Sequence, residues 1–291
     1  MACCLKQQRR RQALRKPTDG ENAAIAALVA RANTPFSHEN PEHLELLKKL
    51  WRTFHDNVRG IKKPFAAKSP EWLKIGFQST DPTSDIRGGG VLAIDNMLAF
   101  IVASPDVAIG MAESREATAD LATAQYMPWA TAGVNLTRLL LEMFGAVGAD
   151  GRAIDVTSHK LRCWPLVLEF DALYALSFRM LDSTFDEQHG TYLSFPHVKA
   201  TVRERLERVA KRIGATSVDH LESLLRRRHW ANFRNSFALP DRDAIDAARR
   251  LALRSHVNSV VSTLQMTKLA DITSPICEDG DQKPPPIRAK K

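Results

Sequence analysis

Residues 198–213 read Val198-Lys199-Ala200-Thr201-Val202-Arg203-Glu204-Arg205-Leu206-Glu207-Arg208-Val209-Ala210-Lys211-Arg212-Ile213. Val198, Val202, Leu206, Val209 and Ile213 recur at spacings of four and three, while Arg203, Glu204, Arg205, Glu207, Arg208, Lys211 and Arg212 occupy the other face. That is the period of an α-helix with one face in a core. The same period appears on either side of it. Phe170, Tyr174, Phe178, Leu181 and Phe185 mark a helix over 167–185, and Leu221, Leu224 and Leu225 mark one capped by Thr216 or Ser217.

Further out, Asn40-Pro41 is an N-cap and first-turn pair. It opens a helix with Leu44, Leu47, Trp51 and Phe54, stopped by Asn57 and Gly60. Helices are also predicted over 23–32, over 91–102, over 117–144 with interruptions near Pro128 and Gly133, and over 241–269. No run sustains the two-residue alternation of a strand, so the predicted fold class is all-α.

Charge has to be read by position. The net value of +8, from 41 Lys+Arg and 33 Asp+Glu, suggests a polyanion partner. Yet residues 1–16 hold six bases and no acid, and residues 283–291 hold four bases and no acid. Residues 17–282 then carry 31 bases against 33 acids, or −2. A nucleic-acid partner is therefore not expected. Arg226-Arg227-Arg228 with His229 and Trp230 reads as a basic helix end suited to the macrodipole.

The four cysteines form no disulfide framework, which fits a reducing, cytoplasmic setting. Residues 1–20 lack the apolar stretch of a secretory signal. Residues 1–20, ending in Pro17 and an Asp19-Gly20 turn, are expected to be a basic disordered tail, and 271–291 a second one. Cys3-Cys4 beside the basic cluster resembles a dual-acylation site. Two acyl chains hold a membrane stably where one does not. Ala2 stands where N-myristoylation requires glycine.

Most catalytic templates fail. There is no phosphate loop of the G-x-x-x-x-G-K-[ST] type, no H-E-x-x-H, no C-x-x-C and no G-x-S-x-G, and the nine histidines are scattered. Asp81, Thr83 and Asp85 begin like a calcium loop, but Ile86 and Leu92 stand where glycine and glutamate are needed. No metal or cofactor is expected.

What remains is the segment 61–90, with Pro64, Pro70, Pro82 and Gly88-Gly89-Gly90. It is too long and too aromatic for a solvated linker, which points to a functional loop. In it Trp72 and Phe77 serve as anchors on the core and Pro82 stiffens the chain. Arg87 either pairs with Asp81 or Asp85 or serves another molecule.

Residues 71–92, Glu71-Trp72-Leu73-Lys74-Ile75-Gly76-Phe77-Gln78-Ser79-Thr80-Asp81-Pro82-Thr83-Ser84-Asp85-Ile86-Arg87-Gly88-Gly89-Gly90-Val91-Leu92, resemble the ELMO (engulfment and cell motility) domain signature W-x-x-I-G-F-Q-x-x-D-P-x-T-D-x-R-G-x-G-x-L. Ser84 departs from its threonine. Residues 126–144, 170–182 and Thr191-Tyr192…Phe195 resemble later family segments, with Phe185 where tryptophan is frequent. The resemblance covers about 42–213.

It implies an all-helical domain over 21–213, followed by a helical extension over 214–270. It also implies one of two activities. Short members of the family, a length this chain matches, act as GTPase-activating proteins for Arf and Arl small GTPases, and the arginine of D-x-R-G is their catalytic residue. That residue is Arg87 here. Asp85, Gln78, Gly88 and Gly90 would be the supporting or GTPase-contacting residues, with Asp85 holding the Arg87 side chain and the glycines giving clearance. Mg-GTP would be brought by the partner. The alternative is a non-catalytic adaptor for a small GTPase or a Dock-type exchange factor.

Overall fold

The computed structural model describes residues 13–114, 126–211 and 214–229. Cys3 and Cys4, the helix expected over 241–269 and the expected 271–291 tail lie outside them, as do residues 117–125 of the long helix expected before 144. Ten α-helices form among the described residues: α1 Asp19–Ala32, α2 Pro41–Arg52, α3 Glu71–Ile75, α4 Thr83–Ile86, α5 Gly90–Ala103, α6 Pro105–Ser114, α7 Trp129–Met143, α8 Phe170–Glu187, α9 Phe195–Ala210 and α10 Val218–His229. No strand forms among them, only two isolated bridges, Arg15 with Leu161 and Val147 with Ala153. The fold is all-α.

Helix α5 is the hub. Ten of its residues, from Gly90 through Ile101, are buried, as expected of a helix that is apolar on every side. It packs against α1, α2, α4, α6, α7 and α8. Helix α7 lies between α5, α8 and α9, and also touches α4. At the centre the Phe100 ring lies 4.9 Å from Phe178 and 6.3 Å from Trp129. No single described helix is long and apolar enough to cross a membrane.

Four details differ from the sequence reading. First, Asp19-Gly20 is not a turn ending a tail but the first turn of α1. Thr18 caps that helix by accepting the Glu21 N–H, and Glu21 returns the bond to the Thr18 N–H. Arg15 donates twice to the Glu21 carboxylate at 2.5 Å, which holds that acid below its ordinary range. The Arg15 carbonyl also accepts the Trp164 indole N–H at 3.1 Å. The folded domain therefore begins at least at Arg15.

Second, α6 was not legible. Ser104 breaks the chain's direction, with Pro105 following, and α5 and α6 meet at 108°. Third, Gly133 does not interrupt α7. A Cβ there would lie 2.7 Å from the Tyr174 hydroxyl, so glycine is a packing requirement between α7 and α8. Fourth, no boundary follows residue 213. The α10 residues Leu221 and Leu225 are buried in the common core. Glu169 accepts the Val218 N–H at 3.0 Å, and Arg179 of α8 faces Glu222 of α10 at 3.9 Å with both side chains buried. At least through His229 the extension buttresses the domain.

Candidate functional site

The segment 61–90 is ordered by its apolar anchors. Trp72 on α3 is fully buried. Its ring stands edge-on to Trp51 at 4.8 Å and to Phe77 at 5.5 Å, and its indole N–H donates to Ala66 O at 3.0 Å. Pro82 is buried as well. The carbonyl of Gly76 accepts both the Thr131 N–H at 3.2 Å and the Thr131 hydroxyl at 3.0 Å, so the loop is docked onto the first turn of α7.

Two ion-pair clusters brace it from outside. Glu71 bonds Lys63 at 2.6 Å and Lys74 at 2.9 Å, which together hold its carboxyl at about 2, against an ordinary 4.5. A depressed folded-state value means that this contribution to stability is complete above about pH 4.5 and is lost as the pH falls towards 2. Thermal melts between pH 6 and pH 3 should show this loss, and Glu71→Gln should flatten the profile over that interval. Asp81 forms the second cluster. Burial opposes its ionisation, but the Thr83 hydroxyl at 2.6 Å, the Thr83 N–H, Lys68 at 3.0 Å and His38 at 3.4 Å outweigh it, and its carboxyl lies well below the carboxylate range.

Helix α4 and the residues after it carry Arg87. Asp85 accepts the Gln78 N–H at 2.7 Å, closing the loop on itself. Burial pushes the Asp85 carboxyl up, and the Gln78 N–H and the Arg87 charge pull it part of the way back. Arg87 is exposed and caps the C-terminal end of α4. Its Nε donates to Ser84 O at 3.2 Å. Among the described residues no ion pair joins it to Asp81 or Asp85, which corrects both the expected loop-holding pair and the expected Asp85 clasp. Asp81 is turned to Lys68 and His38, and Asp85 to a backbone N–H. Among the described residues the terminal guanidinium nitrogens form no ion pair with a carboxylate.

The two site glycines separate. Gly88 is exposed. A Cβ there would touch Val134 Cγ1 at 3.1 Å, so it sits where the loop meets α7. Gly90 is buried, has φ +58°, and a Cβ would lie 2.1 Å from Ala32 O. It gives close approach to the end of α1 and not the clearance for a partner that the resemblance implies.

A shallow cavity of about 260 Å³ runs between the loop and α7, lined by Gln78, Ser84, Asp85 and Gly88 on one wall and Thr131, Val134, Asn135 and Arg138 on the other. The expected contact residues Gln78, Asp85 and Gly88 thus share one groove, and Arg87 bonds the carbonyl of a fourth lining residue, Ser84. The α7 wall was missed from sequence. Its signal was there: Thr131, Asn135 and Arg138 are spaced four and three apart, a polar face on an otherwise apolar helix. Among the described residues no cluster of His, Cys, Asp or Glu could hold a metal.

Comparison with known proteins fits this architecture. The chain is 28% identical over 206 residues to ELMO domain-containing protein C of Dictyostelium discoideum, a match covering 67% of this chain and 31% of that protein. Against ELMO domain-containing protein B of the same organism it is 28% identical over 165 residues, covering 56% of this chain and 51% of that one. Human ELMO domain-containing protein 2 is 41% identical over 66 residues, 23% of this chain and 21% of that protein. The chain thus spans from about a fifth to about half of the length of these relatives. The family description "ELMO/CED-12 family" matches residues 26–199. With more than half of the sequence matched and the signature folded as a braced loop on an all-helical core, the chain belongs to the ELMO/CED-12 family.

Proposed function

We propose that the protein stimulates GTP hydrolysis by an Arf- or Arl-family small GTPase, with Arg87 supplied in trans as an arginine finger. The observation that carries the reading is the state of Arg87: an exposed arginine on a doubly braced loop, with one hydrogen bond to its own helix and, among the described residues, no ion pair with an acid. A structural arginine would ordinarily use its fork on a carboxylate. The family's link to small-GTPase regulation gives the partner class.

The chemistry needs nothing that this chain lacks. In phosphoryl transfer, negative charge spreads over the transferring group and the leaving oxygen. A planar guanidinium that is always charged can address two of those oxygens together. The partner holds Mg-GTP and orients the water. Here Trp72, Phe77 and Pro82 fix the loop, the Ser84 carbonyl takes the Nε–H, and the outer nitrogens remain for phosphate. Gln78, exposed on the groove wall, offers an amide to the partner's switch surface.

Single-turnover hydrolysis across a panel of GTP-loaded Arf and Arl proteins tests the reading. Acceleration of at least one supports it. Binding of the GTP-loaded form with an unchanged rate replaces it with the adaptor function. In the same reading, acylation at Cys3 and Cys4 places the protein on the membrane that carries its GTPase. Cys3→Ser/Cys4→Ser should move it from the membrane to the soluble fraction, and unchanged retention removes that element.

A further inference from the structure

Lys199, on α9, is not part of the signature loop, yet its Nζ donates at 2.9 Å to Oδ1 of Asn135, a residue that lines the groove. The ammonium is half-buried. Burial, and then the charge of Arg138, lower its proton affinity, and among the described residues no carboxylate pairs with it. The acid nearest to this wall is already shared: Glu142 bonds Arg138 at 2.9 Å and also Arg203. Arg138 is further tied to the carbonyl of Ala149. Arg138, Arg203 and Lys199 therefore carry three positive charges against the single negative charge of Glu142. On the opposite wall, Asp85 is turned to the Gln78 N–H.

A half-buried lysine beside the Arg138 cation, with only an amide oxygen to bond, is a poor arrangement for the isolated protein. It suits an anion arriving from outside. The cavity, about 260 Å³, lies below the roughly 300–1,000 Å³ of small-molecule sites. It is open to one side chain and too small for a nucleotide.

We propose that Lys199 is the docking cation beside this groove: it takes an aspartate or glutamate side chain of the partner GTPase and so positions that surface relative to Arg87, which bonds Ser84 of the facing wall. The proposal rests on the GTPase-activating reading above. Lys199 is a positioning residue, touching the partner and not the phosphates.

The test is steady-state stimulation of a responsive GTP-loaded GTPase by the full chain, with Lys199→Met, Lys199→Arg and, as a control of equal charge change on an exposed lysine, Lys160→Met. Lys199→Met should raise KM for the GTPase roughly tenfold, the loss of one charge-assisted contact. The maximal rate should stay within about twofold and the salt dependence of KM should weaken. Lys199→Arg should restore most of the affinity, and Lys160→Met should change nothing. Melting curves establish that Lys199→Met is folded. If the folded variant keeps the wild-type KM and salt dependence, the docking role is overturned while the activity stands. If it loses maximal rate at unchanged KM, Lys199 acts on the chemistry and the docking role is likewise overturned. If no GTPase of the panel responds even to the wild type, the reading on which the docking role rests is overturned, and the role with it.

Discussion

Arg87→Ala is expected to lower the stimulated single-turnover rate by roughly 10³–10⁵, to near the partner's intrinsic rate, because that is the range an arginine finger supplies. Binding of the GTP-loaded partner should weaken far less, since the contribution is made to charge that develops in the transition state. Arg87→Lys is the sharper variant. The guanidinium uses Nε on the Ser84 carbonyl, and in the proposed function its outer nitrogens serve the phosphate. A lysine has one nitrogen and must choose, so it should retain only a small part of the effect. Neither variant should cost stability beyond about 1 kcal/mol, because Arg87 is exposed and gives up a single surface hydrogen bond. Melting temperature and rate measured on the same preparations check both halves. Wild-type stimulation by Arg87→Lys would end the finger assignment and leave Arg87 as a docking residue.

How far the sequence discloses this site depends on whether the information is local. Helical periods are local, so the apolar stripes of α2, α8, α9 and α10 could be read directly. Trp72 and Phe77 announced themselves as anchors because such large apolar side chains have no place in a solvated loop. The partners of Arg87 are a different matter. Asp81 and Asp85 stand six and two residues away, and spacing alone favoured a pair. What decides is the direction in which each carboxylate faces, and that depends on Lys68, His38 and the Gln78 backbone. The second wall of the groove comes from α7, and its cation from α9. Nothing local connects Gln78 to Asn135 or Asn135 to Lys199, which are brought together only by the packing of α7 against α4 and α9. Likewise the helix expected over 91–102 leaves α6 unread beyond it, although a proline such as Pro105 is tolerated in the first turn of a new helix.

Gly90→Ala should be the most damaging single-methyl change among the three consecutive glycines of the signature. The three consecutive glycines look interchangeable in sequence, and their surroundings separate them. Gly90 has φ +58°, where an alanine costs roughly 1–2 kcal/mol. Its added Cβ would also lie 2.1 Å from Ala32 O, 2.6 Å from Ala32 C and 2.9 Å from Thr34 O. These atoms are backbone and cannot rotate aside. The end of α1 or the start of α5 must move, and overpacking of that kind costs about 1–3 kcal/mol more. The Val91 N–H, which donates to Thr34 O at 3.1 Å, would be displaced with it. The sum, about 2–5 kcal/mol, corresponds to a fall in Tm of roughly 10 °C for a domain of this size. Gly88→Ala is the control. Gly88 has no positive φ, and its Cβ would meet a side-chain methyl of Val134 at 3.1 Å, which can give way. Its cost should stay under about 1 kcal/mol, and its effect should appear in partner binding, since Gly88 lines the groove. Denaturant unfolding of the two variants side by side separates these roles. Equal destabilisation by both would mean that Gly90 does not fasten the finger loop to α1. A large loss for Gly90→Ala alone would show that the last glycine of the signature belongs to the fold.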